Sequence, residues 1–227
     1  MKSAVSTFGL FCHFTQLIKF NSGRGTNHMG LLPEQEVHME AIKGDYSLMG
    51  TQGKYTIADI EALPEGQRAE LFDGEMIMMA SPTTTHQRIL RILGMKICNY
   101  IDGKKGNCEM FWAPFAVYIK KDIWNYFEPD IVIICDTDKL DKKGCHGAPD
   151  WVIEAVSLSS RKLDYERKLA VYIETGVREY WIVDPAKERT TIYRFEEDAA
   201  PAIIPFVQPI QVGIYNDLKI TISELID

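Results

Sequence analysis

Residues 150–156, which read Asp-Trp-Val-Ile-Glu-Ala-Val, constrain the fold of this chain more than any other segment. Alternation along a strand gives two faces, one with Val152, Glu154 and Val156 and the other with Trp151, Ile153 and Ala155. Because both faces are apolar apart from Glu154, the segment is typical of a central strand covered on both sides, as in an α/β protein. Burial of a lone carboxylate is costly unless a cation or hydrogen-bond donors compensate it. The sequence therefore predicts a partner for Glu154.

A second acidic residue, Asp130, stands directly before another apolar run, residues 131–134. Two carboxylates at neighbouring strand ends repel each other, whereas a divalent ion bound by both removes the conflict. Carboxylate oxygens favour magnesium or manganese over zinc. The alternative is structural: Asp130 caps a turn, and Glu154 pairs with a buried arginine or lysine.

Residues 55–101 contain short predicted helices and strands, separated by residues typical of turns and helix caps. We predict a helix over residues 56–63 with Thr56 as its cap, and a hairpin over residues 69–79 with Asp73-Gly74 at the turn. That turn sets Glu70 opposite Ile77. Ser81 as cap and Pro82 at the first helical position predict a long helix to about Ile101.

From residue 107 onward, the sequence predicts strands and helices in the order typical of an α/β protein. Strands are expected at 107–112, 115–120, 129–135 and 150–157, followed by a helix over 161–175 that Gly176 ends. A strand at 179–184 pairs with one at 190–195, and three prolines after residue 200 favour edge strands. A capping box at Thr221 and Glu224 predicts a last short helix.

The first 45 residues are set aside from the fold. Residues 8–20 are apolar, but polar residues interrupt them and no cleavage site follows, so an extension upstream of the true start is favoured over a signal peptide. We expect one domain over residues 46–227. No apolar run reaches the length of a membrane span.

The net charge and the cysteine content limit how this chain could bind nucleic acid and in which compartment it is expected. The net charge of −7 argues against binding nucleic acid through overall electrostatics, so any such contact must be local. Five cysteines without a CxxC pair predict reduced thiols in a cytoplasmic protein.

Several motifs together resemble a known family. Pro129-Asp130 is followed twenty-four residues later by Glu154, within PDWVIEAVSLSS and ahead of GVREYWIVDP. With ELFDGE at residues 70–75 and SPxxxHQ at 81–87, this text closely resembles the Uma-type family of restriction-endonuclease-like proteins, part of the PD-(D/E)XK superfamily. The resemblance runs from about Tyr55 to the C-terminus.

The resemblance implies a restriction-endonuclease-like core, in which a mixed β-sheet is flanked by α-helices, with an N-terminal hairpin and extra C-terminal strands. It also implies magnesium-dependent cleavage of phosphodiester bonds, with DNA as the expected substrate. Asp130, Glu154 and the carbonyl of Ala155 would bind Mg²⁺ or Mn²⁺. Glu70 would be a third acidic contributor, directly or through water, and a surface hairpin glutamate is its alternative.

The superfamily lysine is missing from its usual position, where this chain has Val156. Lys168 is the candidate replacement, because it lies on the inward stripe of the following helix with Leu169 and Tyr172. It also matches the D-x-x-x-K pattern of the family, with Asp164. The alternative is a lysine that snorkels and pairs with Asp164.

His86 and Gln87 match the family pattern at the start of the long helix and could position phosphate or water. An inward histidine is also common as a satisfied core residue. Cleavage of both strands of a duplex would favour a two-fold homodimer.

Two rival functions stay open. A module that binds nucleic acid or protein without turnover is favoured by Val156 and by the acidic charge. Glycoside hydrolysis by two acids would need sugar-stacking aromatic side chains at the strand ends, and the sequence identifies none.

Overall fold

A computed structural model of the chain describes residues 55–157 and 160–226, except for the side chains of residues 225 and 226. The predicted extension over residues 1–45 lies outside these ranges, and the boundary near residue 46 stays a prediction. Within the described ranges, no helix is both long enough and apolar enough to cross a membrane.

Four α-helices and one π-helical segment are described. The α-helices are α1 (Ile57–Glu61), α2 (Thr84–Lys104), α3 (Leu169–Thr175) and α4 (Ser223–Ile226). The π-helical segment (Leu163–Lys168) runs directly into α3. Gly176, at a left-handed φ of 88°, ends α3 as predicted.

Twelve strands are described, namely β1 (Ala69–Phe72), β2 (Glu75–Met78), β3 (Glu109–Trp112), β4 (Val117–Tyr118), β5 (Ile131–Ile134), β6 (Cys145–His146), β7 (Trp151–Ala155), β8 (Glu179–Asp184), β9 (Arg189–Arg194), β10 (Ala202–Pro205), β11 (Ile210–Gln211) and β12 (Lys219–Ile220). Six of them form the main sheet, in the order β10-β9-β8-β7-β5-β3. Only the β7–β8 pair of this sheet is parallel, which confirms the predicted mixed sheet. The remaining strands form the pairs β1–β2, β4–β6 and β11–β12.

Strand β7 lies in the middle of the main sheet and separates two apolar clusters. Trp151, Ile153 and Ala155 pack on the side of α2, while Val152 and Val156 pack on the side of α3. All five side chains are buried. The predicted division of this strand into two covered faces is therefore confirmed, and Glu154 lies on the face toward α3.

The N-terminal hairpin β1–β2 has the predicted register, with Glu70 opposite Ile77 and Phe72 opposite Glu75. Asp73 and Gly74 both adopt positive φ, the conformation that a two-residue hairpin turn requires. Strands β8 and β9 also pair antiparallel, as predicted.

Two helix predictions need correction. The long helix begins at Thr84, because Thr83 is the cap and its hydroxyl accepts from His86 N at 3.2 Å, so Ser81 and Pro82 lie before the helix. The predicted helix over residues 161–175 starts as the π-helical segment, so its hydrogen bonds reach one residue further than those of an α-helix.

The prediction of reduced thiols is wrong for one pair of cysteines. Cys108 and Cys135 form a disulfide. Strands β3 and β5 pair antiparallel with Glu109 opposite Ile134. Cys108 directly precedes β3 and Cys135 directly follows β5, so the same register brings the two cysteines opposite each other. Cys98 and Cys145 are free.

Candidate active site

Lys168 is the last residue of the π-helical segment, and its amine is enclosed by carboxylates. The residue is only 3% exposed. Its Nζ donates to Glu154 Oε1 at 2.7 Å, lies 3.0 Å from Glu70 Oε1, and lies 3.7 Å from Asp164 Oδ1. The predicted inward position is confirmed, and the amine pairs with two further acids besides Asp164.

Glu154 pairs with the buried Lys168, as in the structural alternative for this acid, and its two oxygens face different neighbours. Oε1 accepts from Lys168 and, at 3.5 Å, from the hydroxyl of Tyr172. Oε2 accepts from the main-chain N–H of Asp130 at 3.3 Å. Glu154 therefore connects the lysine to the start of strand β5.

Asp130 directly precedes β5, next to the C-terminal end of β7. Its Oδ2 accepts from Ala155 N at 2.8 Å and lies 2.9 Å from His86 Nε2. The carboxylate thus contacts the neighbouring strand and helix α2. The predicted pair of Asp130 and Glu154 is brought together, with Ala155 beside it.

Glu70 is a buried residue of the hairpin, 2% exposed, so the alternative of a surface glutamate is wrong. Its Oε1 accepts from Glu128 N at 2.9 Å and contacts Lys168. Its observed contacts therefore place Glu70 beside the lysine.

His86 and Gln87 lie in the first turn of α2 and line the same cleft. His86 is largely covered and contacts Asp130, whereas Gln87 is exposed. Burial opposes protonation of His86, but Asp130 and the charge of Asp164 outweigh it, so its pKa is raised.

Around Lys168, acidic side chains outnumber basic ones, and their burial shifts the pKa values of the acids and of the lysine. Burial, with the charges of the neighbouring acids, raises the pKa of Glu154 well above its ordinary value, although Lys168 opposes the shift. Burial likewise raises the pKa of Asp164 to about 6. Burial lowers the pKa of Lys168, but the surrounding carboxylates outweigh it and the net shift is upward. Burial therefore opposes ionisation of these acids, and Lys168 is the cation that stabilises their charged forms.

A cleft of about 660 Å³ opens over these residues. Glu154, Asp130 and Lys168 line its floor. Arg68, Arg91, Met78, Met95 and Trp112 line other parts of it. No sequence motif marks this second group, because Trp112 belongs to no recognised pattern and neither Arg68 nor Arg91 is part of a dense basic cluster.

A divalent cation needs several donor atoms that converge on one point. Among residues 55–157 and 160–226, no group of three acidic, histidine or cysteine side chains converges as a three-residue metal site would require. Magnesium, however, is often held by one or two carboxylates with water in its other positions. Asp130 and Glu154 provide carboxylate oxygens, which are the donor type that such an ion prefers.

The mixed sheet with this cluster at the end of its central strand defines an α/β protein of nuclease-like fold. The crystal structure of a "putative nuclease belonging to DUF820" from Anabaena variabilis matches with a TM-score of 0.62, over 75% of this chain and 97% of that chain. The two chains are 18% identical, so the likeness concerns the fold.

The particular family follows from the sequence match. The family Uma2, described as "Putative restriction endonuclease", matches residues 57–215, and the chain belongs to this family. A relative from Synechocystis sp., itself described as uncharacterized, is 26% identical over 133 residues, which cover 58% of this chain and 68% of the relative. The resemblance found in the sequence is thereby confirmed.

Proposed function

We propose that this protein is an endonuclease that hydrolyses phosphodiester bonds of DNA with Mg²⁺ or Mn²⁺ as cofactor. One observation carries the proposal: the buried amine of Lys168 is held against Glu154, whose other oxygen faces Asp130, on the floor of an open cleft. A buried lysine among acids in a cleft is typical of a functional site. Membership of a family described as "Putative restriction endonuclease" supports the same reaction.

Asp130, Glu154 and the carbonyl of Ala155 would hold the cation, with Glu70 contributing directly or through water. Bound there, a divalent ion would supply a water of lowered pKa and neutralise charge on the scissile phosphate. The carboxylate of Asp130 is already oriented by Ala155 N and by His86. A ligand held in this way needs little rearrangement on binding.

Lys168 takes the role of the lysine that the chain lacks at Val156. Its amine donates to Glu154 on the side away from Asp130 and would donate to the attacking water or to a phosphate oxygen. A buried ammonium group acts strongly on developing negative charge, because little water screens it. His86 positions Asp130, and the exposed Gln87 would contact phosphate.

A cytoplasmic location and a two-fold homodimer stay predictions. A dimer would place two such clefts on opposite strands of a duplex.

The test is cleavage of supercoiled plasmid in Mg²⁺, in Mn²⁺ and in EDTA. Asp130→Asn and Glu154→Gln should each lower metal-dependent nicking by about a hundredfold or more, as expected for loss of a group that stabilises the transition state. Glu166→Gln changes an exposed acid of the π-helical segment and should leave the rate unchanged.

Calorimetric titration with Mn²⁺ separates the proposal from its rival. Metal binding that is lost in both variants, together with nicking, supports the enzyme. DNA binding without any nicking in either metal would instead support a module that has no turnover.

A further inference from the structure

Trp112 is an exposed tryptophan at the mouth of the proposed active site. It is the last residue of edge strand β3, and its side chain is 42% exposed, whereas Trp151 and Trp181 are fully buried in the core. It lines the same cleft as Asp130. With the exposed Met78 and Met95 of the same cleft, Trp112 leaves apolar surface open to solvent beside a candidate site, which points to a ligand.

The indole is held in place on helix α2. Its Nε1 donates to the carbonyl of Leu90 at 3.4 Å. The ring lies against Gly94, where a side-chain carbon would come within 2.2 Å of Nε1. The next residue, Ala113, donates its N–H to the carbonyl of Asp130 at 3.0 Å, so the ring has a fixed relation to the acidic pair.

The surroundings of the ring are apolar and basic. Met78 and Met95 are exposed large side chains that line the cleft with Trp112. Arg91 lies on the same stretch of α2 and contacts Met95 Sδ at 3.7 Å. Within the described ranges Arg91 has no carboxylate partner, which leaves its guanidinium available to a phosphate.

We infer that Trp112 is a stacking platform for an unpaired base beside the scissile phosphate, so that the substrate is single-stranded or locally unpaired nucleic acid. The inference rests on the proposed function and names the substrate class of that site. A ring face can stack on a base only where the base is not already stacked within a duplex.

The charge of the protein supports the same conclusion. A net charge of −7 leaves little attraction for a duplex backbone, which proteins usually hold with many lysines and arginines. Stacking on an aromatic ring does not depend on overall charge, and it tolerates any base sequence. Trp112 and Arg91 would bind one nucleotide locally, although the net charge of the protein does not favour contacts with many phosphates.

The test is binding of a fluorescein-labelled oligothymidylate about twelve nucleotides long, within the site size of single-strand binders. The full chain is titrated in Ca²⁺, and binding is followed by anisotropy. Trp112→Ala should weaken binding by about 5-fold to 150-fold, equivalent to about 1–3 kcal/mol for one stacked base. Trp112→Phe should keep most of the affinity. Ile203→Ala is the matched control, because Ile203 is 56% exposed on β10 at the opposite edge of the sheet.

A second measurement needs only the wild-type chain. An abasic strand of equal length should bind more weakly than the oligothymidylate by a similar factor, and a blunt duplex should bind more weakly than either single strand. Equal affinity for intact and abasic strands, tighter binding of the duplex, or an unchanged affinity of a folded Trp112→Ala variant would overturn the inference.

These results are independent of cleavage. Plasmid nicking with no role for Trp112 would overturn the stacking inference and leave the proposed endonuclease standing. Base-dependent binding through Trp112 without nicking in Mg²⁺ or Mn²⁺ would support the stacking inference and overturn the proposed endonuclease.

Discussion

Replacement of Lys168 by methionine removes a buried ammonium group and keeps most of the side-chain length. The amine contacts Glu154 at 2.7 Å and Glu70 at 3.0 Å, and Asp164 lies 3.7 Å away. Loss of one partner from a buried ion pair costs about 3–5 kcal/mol, because the remaining charge is uncompensated. We expect the free energy of unfolding to fall by this amount in EDTA, with a fall in Tm of roughly 6–20 °C.

The loss should depend on pH. Burial raises the pKa of Asp164 to about 6 and raises that of Glu154, and Lys168 is the main group that opposes both shifts. Without it, both pKa values rise further in the folded state. A carboxyl group with a raised folded pKa adds stability below its unfolded pKa, and this stability is lost as the pH rises through the folded value. The deficit of Lys168→Met should therefore be larger at pH 8 than at pH 5.

Urea denaturation followed by circular dichroism at both pH values measures the effect. Lys162→Met is the matched control, since Lys162 is exposed just before the same segment and its change should stay within about 0.5 kcal/mol. Adding Glu154→Gln to Lys168→Met should restore at least about 1 kcal/mol, because one orphaned charge is removed. A loss below about 1 kcal/mol at pH 8 would refute the reasoning.

Two further predictions concern packing and reactivity. Gly94→Ala should lower the free energy of unfolding by about 1–3 kcal/mol, because the new carbon would meet Trp112 Nε1 at 2.2 Å. Gly103→Ala, in the same helix, meets open space and should leave the stability unchanged or raise it by up to about 1 kcal/mol. Equal thermal melting temperatures of the two variants would contradict this. Burial raises the pKa of the Cys145 thiol to about 11, so iodoacetamide at pH 8 should label the half-buried Cys98 first in peptide mass spectrometry. Equal labelling of the two cysteines would show that Cys145 is accessible.

Local chemistry made part of the fold predictable. The Asp73-Gly74 turn fixes the hairpin register by itself, because the turn geometry determines which residues pair. The two faces of β7 followed from strict alternation, and the lone acid on one of them, Glu154, required a partner. The inward position of Lys168 followed from its helical stripe and from the family pattern, but its direct contact with Glu154 was not predicted.

Features that depend on distant contacts could not be predicted. Ser81 and Thr83 are both good caps, and only the three-dimensional path of the chain selects Thr83. The pairing of Cys108 with Cys135 depends on the register of β3 against β5, which no local pattern fixes. The place of Trp112 beside Asp130 depends on the same pairing.

The π-helical segment has a consequence for how this protein can diversify. Such a segment holds one residue more than the α-helical turn it replaces, so the chain on either side keeps its direction while the residues inside are turned. Asp164 and Lys168 both lie inside this segment. Tyr172, a buried residue that packs against the main sheet, lies in α3. Changes of length there can re-aim the lysine while the packing of α3 is conserved, so reactivity and folding can vary separately.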